Sequence, residues 1–222
     1  MTDAKAVARR DVVRVCQRLH DRGLIAGQDG NVSVRVGADR LLVTPAGRSK
    51  VDLRAADLVE LWLDGRPVTA ARRGKQASSE VRVHVAAYAA RPDVRAVVHA
   101  HPPTATGFAV AGHPLDYDAL AEMVYNVGRV PLLPYAAPGS RELAESVASF
   151  IVSHDVVLLA NHGAVAVGPS LLVAHQRMES LEHAARILLT ARQLGHVTRL
   201  TADHVRALEI ARETANRTRR AD

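Results

Sequence analysis

Two histidines separated by one residue are the strongest chemical signal in this 222-residue chain. They are His99 and His101, and they follow a short apolar run that ends at Val98. If that run is a β-strand, both imidazoles lie on the same face, because successive side chains of a strand alternate between faces. Imidazole is the commonest metal ligand in proteins, and a tetrahedral zinc site needs three or four donors. The pair therefore predicts part of a metal site whose remaining ligands come from elsewhere.

Two further side chains are candidates for the missing ligands. His162 lies between an apolar stretch and Gly163, a setting in which a tight backbone turn can aim a side chain into a cleft. Glu80 follows Ser78 and Ser79 at a predicted helix start, where an acidic residue often acts only as an electrostatic cap. Taken singly, His162 is as consistent with a structural role as with metal binding. The position of Glu80 favours the cap.

One predicted helix carries a second set of candidate ligands. His175, Glu179 and His183 are spaced by four residues, so a helix places them on one face. That spacing is consistent with a metal site, but a solvated polar stripe is the simpler interpretation. His84 lies one turn after Glu80 and could join it, although a role in helix packing is favoured there.

Three pairs of small or hydroxyl-bearing residues fall at predicted turns or helix starts. Backbone N–H groups at such positions, with the positive end of a helix dipole, suit an oxyanion such as phosphate. The pairs are Gly30 with Asn31, Ala46 with Gly47, and Ser78 with Ser79. Each pair alone indicates only turn chemistry. Glycine-rich nucleotide-binding motifs and the Gly-x-Ser-x-Gly motif are missing from the sequence, which removes the main support for nucleotide-binding and serine-hydrolase functions.

Composition narrows the classes of function further. The formal net charge of +6 comes from scattered basic residues accompanied by acids, and aromatic residues are only 3% of the chain, so we do not expect nucleic-acid binding. Apolar stretches fall short of the roughly 20 residues of a membrane helix, and the first residues lack the apolar core of a secretory signal. We therefore expect a cytoplasmic protein without membrane contact. The single cysteine, Cys16, excludes an internal disulfide and a cysteine-rich zinc cluster.

Hydrophobic periodicity predicts helices and strands that alternate along the chain. The predicted helices cover residues 3–22, 78–90, 103–111, 140–152, 170–194 and 202–218. The predicted strands cover residues 32–36, 40–44, 58–63, 94–99, 130–133, 155–160 and 164–167. This alternation predicts the α/β class. We expect one domain over residues 1–222, with a tail from about residue 211 that could be flexible.

In combination, five short motifs resemble those of the class II aldolase/adducin family. They are residues 30–35, 44–47, 78–80, 99–101 and 161–163, and further likeness lies within residues 134–143. The motifs are weak singly but specific in this order, and the resemblance covers roughly residues 5–195. It implies a single three-layer α/β domain, with a central, mainly antiparallel β-sheet flanked by helices. It also implies a homotetramer with active sites at subunit interfaces.

The same resemblance implies roles for individual residues. His99, His101 and His162 would bind a divalent metal, usually zinc, with Mn²⁺ or Co²⁺ as other possibilities. Glu80 would be the fourth ligand and then the acid/base of turnover. The substrate phosphate would lie against Gly30, Asn31, Ala46, Gly47, Ser78 and Ser79. Aldolases of this family often have Ser or Thr where Ala46 stands, so one hydroxyl contact to phosphate is missing here.

A tyrosine from a neighbouring subunit completes the aldolase site in this family, where it handles the proton of the aldehyde oxygen. Residues 115–127 offer two candidates, Tyr117 and Tyr125, and we take Tyr117 as the prediction. If neither tyrosine reaches the metal, the resemblance favours a decarboxylation or dehydration instead.

The activity implied by the resemblance is zinc-dependent cleavage of a small ketose 1-phosphate, similar to L-fuculose 1-phosphate. The products would be dihydroxyacetone phosphate and an aldehyde, formed through a metal-bound enediolate whose carbon exchanges a proton with Glu80. One alternative within the family is a metal-dependent decarboxylase or dehydratase acting on a related sugar phosphate or hydroxy-keto acid. Another is a non-catalytic interaction module resembling the adducin head, which would be expected to lack the metal ligands.

Overall fold

A computed structural model describes residues 4–69 and 76–221. The helices are α1 (Ala4–Asp21), α2 (Val81–Ala90), α3 (Pro103–Val110), α4 (Arg141–Ile151), α5 (Leu171–Gln193) and α6 (Ala202–Ala221). The strands are β1 (Asn31–Val36), β2 (Arg40–Val43), β3 (Val59–Trp62), β4 (Ala96–Ala100), β5 (Leu132–Leu133), β6 (Val156–Leu159) and β7 (Gly163–Gly168). Short 3-10 turns cover Ala55–Asp57 and Tyr117–Ala119, and a π-helical turn covers Met123–Val127.

The strands form a seven-stranded sheet in the order β3-β2-β1-β4-β7-β6-β5. Every neighbouring pair is antiparallel except β5 with β6, which confirms the predicted mainly antiparallel sheet. Strand β4 lies in the middle of the sheet, between β1 and β7. Its His99 lies opposite Asn31 of β1 on one side and Val165 of β7 on the other. The predicted pair of histidines therefore sits at the end of a central strand.

Helices cover both faces of the sheet and give the predicted three layers. On one face, α1, α3 and α5 pack over a core that includes Ala96 and Val98 of β4. On the other face, α2 and α4 pack over a core that includes Val97. The continuous apolar runs of the central strands follow from this arrangement, because both faces of the sheet are buried. His99 shares the face of Val97, beneath α2.

Element ends differ from the predictions at a few positions. The helix predicted from Ser78 or Ser79 begins at Val81, because the Ser78 hydroxyl accepts a hydrogen bond from the Glu80 amide (3.3 Å) and forms a turn first. The predicted strand 130–133 shortens to two residues, and the last predicted helix extends beyond residue 218. Residue 3, the first of the predicted α1, lies outside the described part of the chain. Within the described ranges, every helix is too short or too polar to cross a lipid bilayer.

A cluster of charges anchors α6 to the rest of the fold. Asp155, which precedes β6, contacts Arg91 (3.3 Å), Arg177 (2.7 Å) and Arg212 (2.5 Å). Arg212, on α6, also donates a hydrogen bond to the Val127 carbonyl oxygen at 3.0 Å. The helix therefore packs against the π-helical turn at a defined position. Flexibility of the tail from about residue 211 stays a prediction.

Candidate metal centre

Three imidazoles meet at one end of the central strands, where β4 ends and β6 turns into β7. The ring centroids of His99 and His101 are 4.9 Å apart, which confirms that the two side chains share a face. His162 lies 4.8 Å from His99 and 5.2 Å from His101 by the same measure. One potential ligand atom from each ring falls within 4.8 Å of the others. In the described part of the chain, this is the one group of three or more histidine, cysteine or acidic side chains with metal-site spacing.

The turn that carries His162 has an unusual backbone. Asn161 has a φ of 56°, and it is the one non-glycine residue with a positive φ among those described. Asparagine tolerates this left-handed conformation better than most residues. It allows the chain to reverse between Leu159 and Gly163 while His162 projects toward β4. The strain is consistent with a functional position.

Gly163 is required because the turn approaches β4 closely. A Cβ atom at this position would lie 2.6 Å from the Ala100 carbonyl oxygen and 2.6 Å from the Cδ2 atom of His101. Gly30 is similarly constrained on the other side, where a Cβ atom would lie 2.9 Å from the His99 carbonyl oxygen. Both glycines flank candidate site residues and let the loops close around them.

Gly163→Ala is therefore expected to displace His101 and lower the free energy of unfolding by about 1–3 kcal/mol, as overpacking commonly does. Gly107→Ala is the matched control, because a Cβ atom there, within α3, meets nothing within 4 Å. The control is expected to be neutral or stabilising by up to about 1 kcal/mol. Urea unfolding and zinc titration of both variants provide the measurement. Wild-type zinc affinity and stability in Gly163→Ala would contradict the packing argument.

Glu80 faces the imidazoles instead of capping its helix. It occupies the N-cap position of α2, but its side chain makes no capping hydrogen bond. Its Oε2 atom lies 3.2 Å from Nε2 of His99, and its Oε1 atom lies 3.2 Å from Nε2 of His162. Burial opposes ionisation of Glu80, but the hydrogen bond and charge of His99, with the charge of His162, lower its pKa to about 2. The carboxyl group is therefore ionised at neutral pH.

The lone pairs of these groups point toward one another, as they do around a bound cation. Nδ1 of His99 lies 3.0 Å from the Ala164 carbonyl oxygen, which can only accept, so Nδ1 carries a proton, and in the neutral ring Nε2 presents its lone pair. That lone pair faces the Glu80 carboxylate and, at 3.1 Å, Nε2 of His101. Acceptors that face one another repel unless a proton or a metal ion lies between them. Three imidazoles and a carboxylate are a donor set that suits a divalent metal ion of the zinc type.

The surroundings also favour neutral, ligating imidazoles. Burial, with the charge of His99, lowers the pKa of His162 to about 4 and lowers the pKa of His101 below its usual range. Nδ1 of His101 lies 3.4 Å from Oδ2 of Asp29, the carboxylate–imidazole arrangement that orients many metal-binding histidines. Sequence reasoning gave Asp29 no role. Its one local signal is its place directly before Gly30.

The segments predicted to hold phosphate lie next to this centre. Pro45 and Ala77 form a short antiparallel bridge, which brings the turn containing Ala46 beside Ser78. The Ala46 amide, however, donates to the Gln76 carbonyl oxygen (2.9 Å) and is committed to that bridge. Gly47 has a positive φ of 64° and open space around its Cα atom. The phosphate assignment of these residues stays a prediction.

The predicted phosphate loops are connected to the metal centre by Asn31 and to each other by Lys50. Asn31 donates from Nδ2 to Oε2 of Glu80 at 3.0 Å, a contact that the phosphate assignment did not anticipate. Lys50 is only 3% exposed, and its Nζ atom donates to the carbonyl oxygens of Gln28 (2.6 Å) and Arg48 (2.9 Å). Lys50 thus connects the two loops from beneath. Sequence reasoning missed it, because no local pattern marks a lysine as buried.

Tyr117 and His175 have partners other than the three imidazoles. The Tyr117 hydroxyl donates to Glu209 of α6 at 3.4 Å, and the Arg129 guanidinium lies 4.5 Å from the centre of its ring. A role for Tyr117 in a neighbouring subunit's site stays a prediction. His175 is buried, with Nδ1 at 3.2 Å from Oε2 of Glu179, so the predicted solvated polar stripe is wrong for this residue, whereas His183 is exposed as predicted.

Comparison with known proteins agrees with this geometry. Residues 10–189 match the family model described as Class II Aldolase and Adducin N-terminal domain. A 3-oxo-tetronate 4-phosphate decarboxylase of Pectobacterium atrosepticum is 32% identical over 207 residues, covering 90% of this chain and 92% of the relative. An L-fuculose phosphate aldolase of Escherichia coli O6:H1 is 36% identical over 183 residues, 82% of each chain. The crystal structure of YgbL from Escherichia coli superposes with a TM-score of 0.86 at 29% identity, covering 93% of this chain and all of that one.

Fold and site together define an enzyme of the class II aldolase type, in which a cluster of histidines and an acid lies at the end of the central strands. The chain belongs to the class II aldolase/adducin family. It is similar both to L-fuculose phosphate aldolases and to 3-oxo-tetronate 4-phosphate decarboxylases.

Proposed function

We propose that this enzyme is a zinc-dependent aldolase that cleaves a small ketose 1-phosphate, such as L-fuculose 1-phosphate, into dihydroxyacetone phosphate and an aldehyde. The observation that carries the proposal is the convergence of His99, His101 and His162 with the ionised carboxylate of Glu80. The relatives named as L-fuculose phosphate aldolases support the substrate class. Mn²⁺ and Co²⁺ are alternative ions with compatible ligand preferences.

The chemistry requires a place for negative charge and carriers for two protons. As the C3–C4 bond breaks, the C4 hydroxyl gives its proton to a base, the role assigned to Tyr117, and becomes the aldehyde. The electron pair of the bond stays on C3 as an enediolate, and a proton delivered to C3 completes dihydroxyacetone phosphate. When bound, a divalent ion supplies Lewis-acid stabilisation of the charge that develops on oxygen. Glu80 would carry the proton to C3, because it is the acid group that contacts two of the imidazoles. Its low pKa keeps it in the base form that the reverse, condensation direction needs.

The phosphate of the substrate would lie between the loop at Gly30 and the turn that includes Gly47. Ser78 and Ser79 would offer hydroxyl groups two residues and one residue before Glu80, respectively. Backbone amides and hydroxyls of this kind form anion sites without a dedicated arginine. Because the Ala46 amide already donates to the Gln76 carbonyl oxygen, Gly47 would provide the free backbone amide of this turn for the phosphate.

The proposal includes an assembly and a location. The enzyme would be a cytoplasmic homotetramer whose active sites form between subunits. Tyr117 would then serve the site of a neighbouring subunit, since its own-chain contacts are Glu209 and Arg129.

A second candidate is decarboxylation of a compound such as 3-oxo-tetronate 4-phosphate, or a related dehydration. The similarity to 3-oxo-tetronate 4-phosphate decarboxylases, which covers 81–90% of this chain, supports this candidate. Decarboxylation releases CO₂ and needs no acid at an aldehyde oxygen. A non-catalytic, adducin-like module is disfavoured, because it has no use for an ionised carboxylate among three imidazoles.

The zinc-loaded enzyme is expected to release dihydroxyacetone phosphate from L-fuculose 1-phosphate, measured by a coupled NADH-consuming dehydrogenase. Protein treated with a chelator is the control, and it should release none. A parallel reaction with 3-oxo-tetronate 4-phosphate is monitored for CO₂. Release of CO₂ alone would replace the aldolase with the second candidate, and release of neither product would contradict both.

A further inference from the structure

The Glu80 carboxylate is the end of a buried chain of hydrogen bonds. Asn31 donates to it from Nδ2 at 3.0 Å, and the Oδ1 atom of the same amide contacts Nε2 of His84. Nδ1 of His84 lies 2.6 Å from the Ser33 hydroxyl, which in turn lies 2.9 Å from the Tyr88 hydroxyl. Four side chains thus extend inward from the metal centre to the core beneath α2.

The direction of every bond in this chain is determined by its first member. The carboxylate of Glu80 can only accept, so Asn31 presents its N–H groups to it and its carbonyl oxygen to His84. Nε2 of His84 must therefore carry the imidazole proton. Nδ1 is then a lone pair, so Ser33 donates to it and accepts from Tyr88. All donors consequently point toward the carboxylate.

Strand and helix geometry bring these residues together. Asn31 and Ser33 alternate on β1 and share one face of the sheet. Glu80, His84 and Tyr88 are spaced by four residues at the start of and along α2, so they share one face of the helix. The two faces meet in a region that excludes water.

Burial prevents these bonds from reversing. Ser33 and His84 are 0% exposed, Tyr88 is 2% exposed and Asn31 is 3% exposed. Burial also lowers the pKa of His84 to about 3, so its imidazole is neutral and can hold a single tautomer. A reversed Asn31 amide would direct its oxygen at the carboxylate, and water is not available to relieve that repulsion.

We propose that His84 is a positioning residue: held by the Ser33 hydroxyl, it fixes the Asn31 amide so that Nδ2 holds the Glu80 carboxylate against the histidine cluster. The alternative is that His84 only fills space under α2. The inference rests on the proposed function for its effect on turnover, but the tautomer and the zinc affinity can be measured independently of any reaction.

The tautomer of His84 is the first test. In protein labelled with ¹⁵N in its imidazole rings and assigned through the backbone, His84 is expected at pH 7 as the neutral tautomer protonated on Nε2. The same tautomer is expected with and without zinc. A proton on Nδ1, or a doubly protonated ring, would overturn the inference.

Two substitutions at His84 provide the second test. Gln can place an amide N–H near the position of Nε2, whereas Leu fills a similar volume without a donor. We expect zinc affinity, measured by chelator competition, to fall about 10–100-fold in His84→Leu, as it does when groups that orient a ligand are removed, and to be largely restored in His84→Gln. If the wild-type enzyme turns over a substrate, kcat should follow the same order with KM nearly unchanged.

Tyr88→Phe is the matched control, since the Ser33 hydroxyl can still donate to His84. It should retain the tautomer and the zinc affinity. Equal zinc affinities in folded His84→Leu and His84→Gln would reduce His84 to a packing residue. That result would leave the proposed function intact, whereas an absent lyase activity with the expected tautomer and affinities would overturn only the proposed function.

Discussion

Glu80→Gln is expected to keep bound zinc while losing roughly 10²–10⁴-fold in turnover, the usual contribution of a general acid/base. The amide is nearly isosteric with the carboxylate, and its oxygen can still accept the hydrogen bond from Asn31. It cannot accept and return a proton at the substrate carbon. The three imidazoles remain to hold the ion, so metal content in the presence of added zinc should change much less than kcat, even where zinc affinity falls about 10–100-fold as in His84→Leu.

The measurement pairs elemental analysis with steady-state kinetics on the substrate identified by product release. Glu142→Gln is the matched control, because this glutamate lies exposed in the first turn of α4, outside the proposed centre. The control should have wild-type turnover and metal content. Equal turnover in Glu80→Gln and wild type would remove Glu80 from the mechanism and require another proton carrier.

His162→Ala is expected to lose the tightly held ion. His162 supplies one of the three imidazoles, and Glu80 contacts it directly at 3.2 Å. Removing a direct ligand should weaken zinc binding by more than the roughly 10–100-fold that accompanies loss of a supporting hydrogen bond. Turnover should fall to the level of chelator-treated wild type, because the Lewis acid is lost with the ion.

Metal content after dialysis, and the rise in melting temperature on adding zinc, measure this loss. Zinc should raise the melting temperature of the wild-type enzyme, since an ion that binds only the folded state stabilises it. His162→Ala should show little such rise. His113→Ala is the control, an exposed histidine in the loop after α3, and it should respond as the wild type does. One zinc per chain retained by His162→Ala would exclude this residue as a ligand.

The sequence predicted the features that depend on short-range pattern. Alternating apolar segments identified all the long helices and strands, and the spacing of His99 and His101 placed both imidazoles on one side of a strand. Gly163, directly after His162, marked a tight turn. These signals are local, because strand alternation and helix periodicity repeat every two to four residues. The family resemblance added the mainly antiparallel sheet, which periodicity alone does not specify.

Roles that depend on distant partners were not predictable from the residues themselves. The position of Glu80 at a predicted helix start favours a cap, and only its distances to the imidazoles show that it faces them. Asn31 was assigned to phosphate, yet its amide holds the Glu80 carboxylate. Lys50 and Asp29 carried no signal of burial or of an imidazole partner. Each contact joins residues far apart in the chain, so none leaves a trace in a local window.

By itself, the sequence determined the candidate ligands and the fold class. The ligands are three histidines and an acid, in the order that they have in the family, and the class is α/β. Only the tertiary structure decided that β1, β4, β7 and the start of α2 bring these groups to one point. The physical reason is that side-chain types and their periodicity are encoded locally. Strand order, burial and hydrogen-bond direction arise when segments far apart in the chain pack together and exclude water.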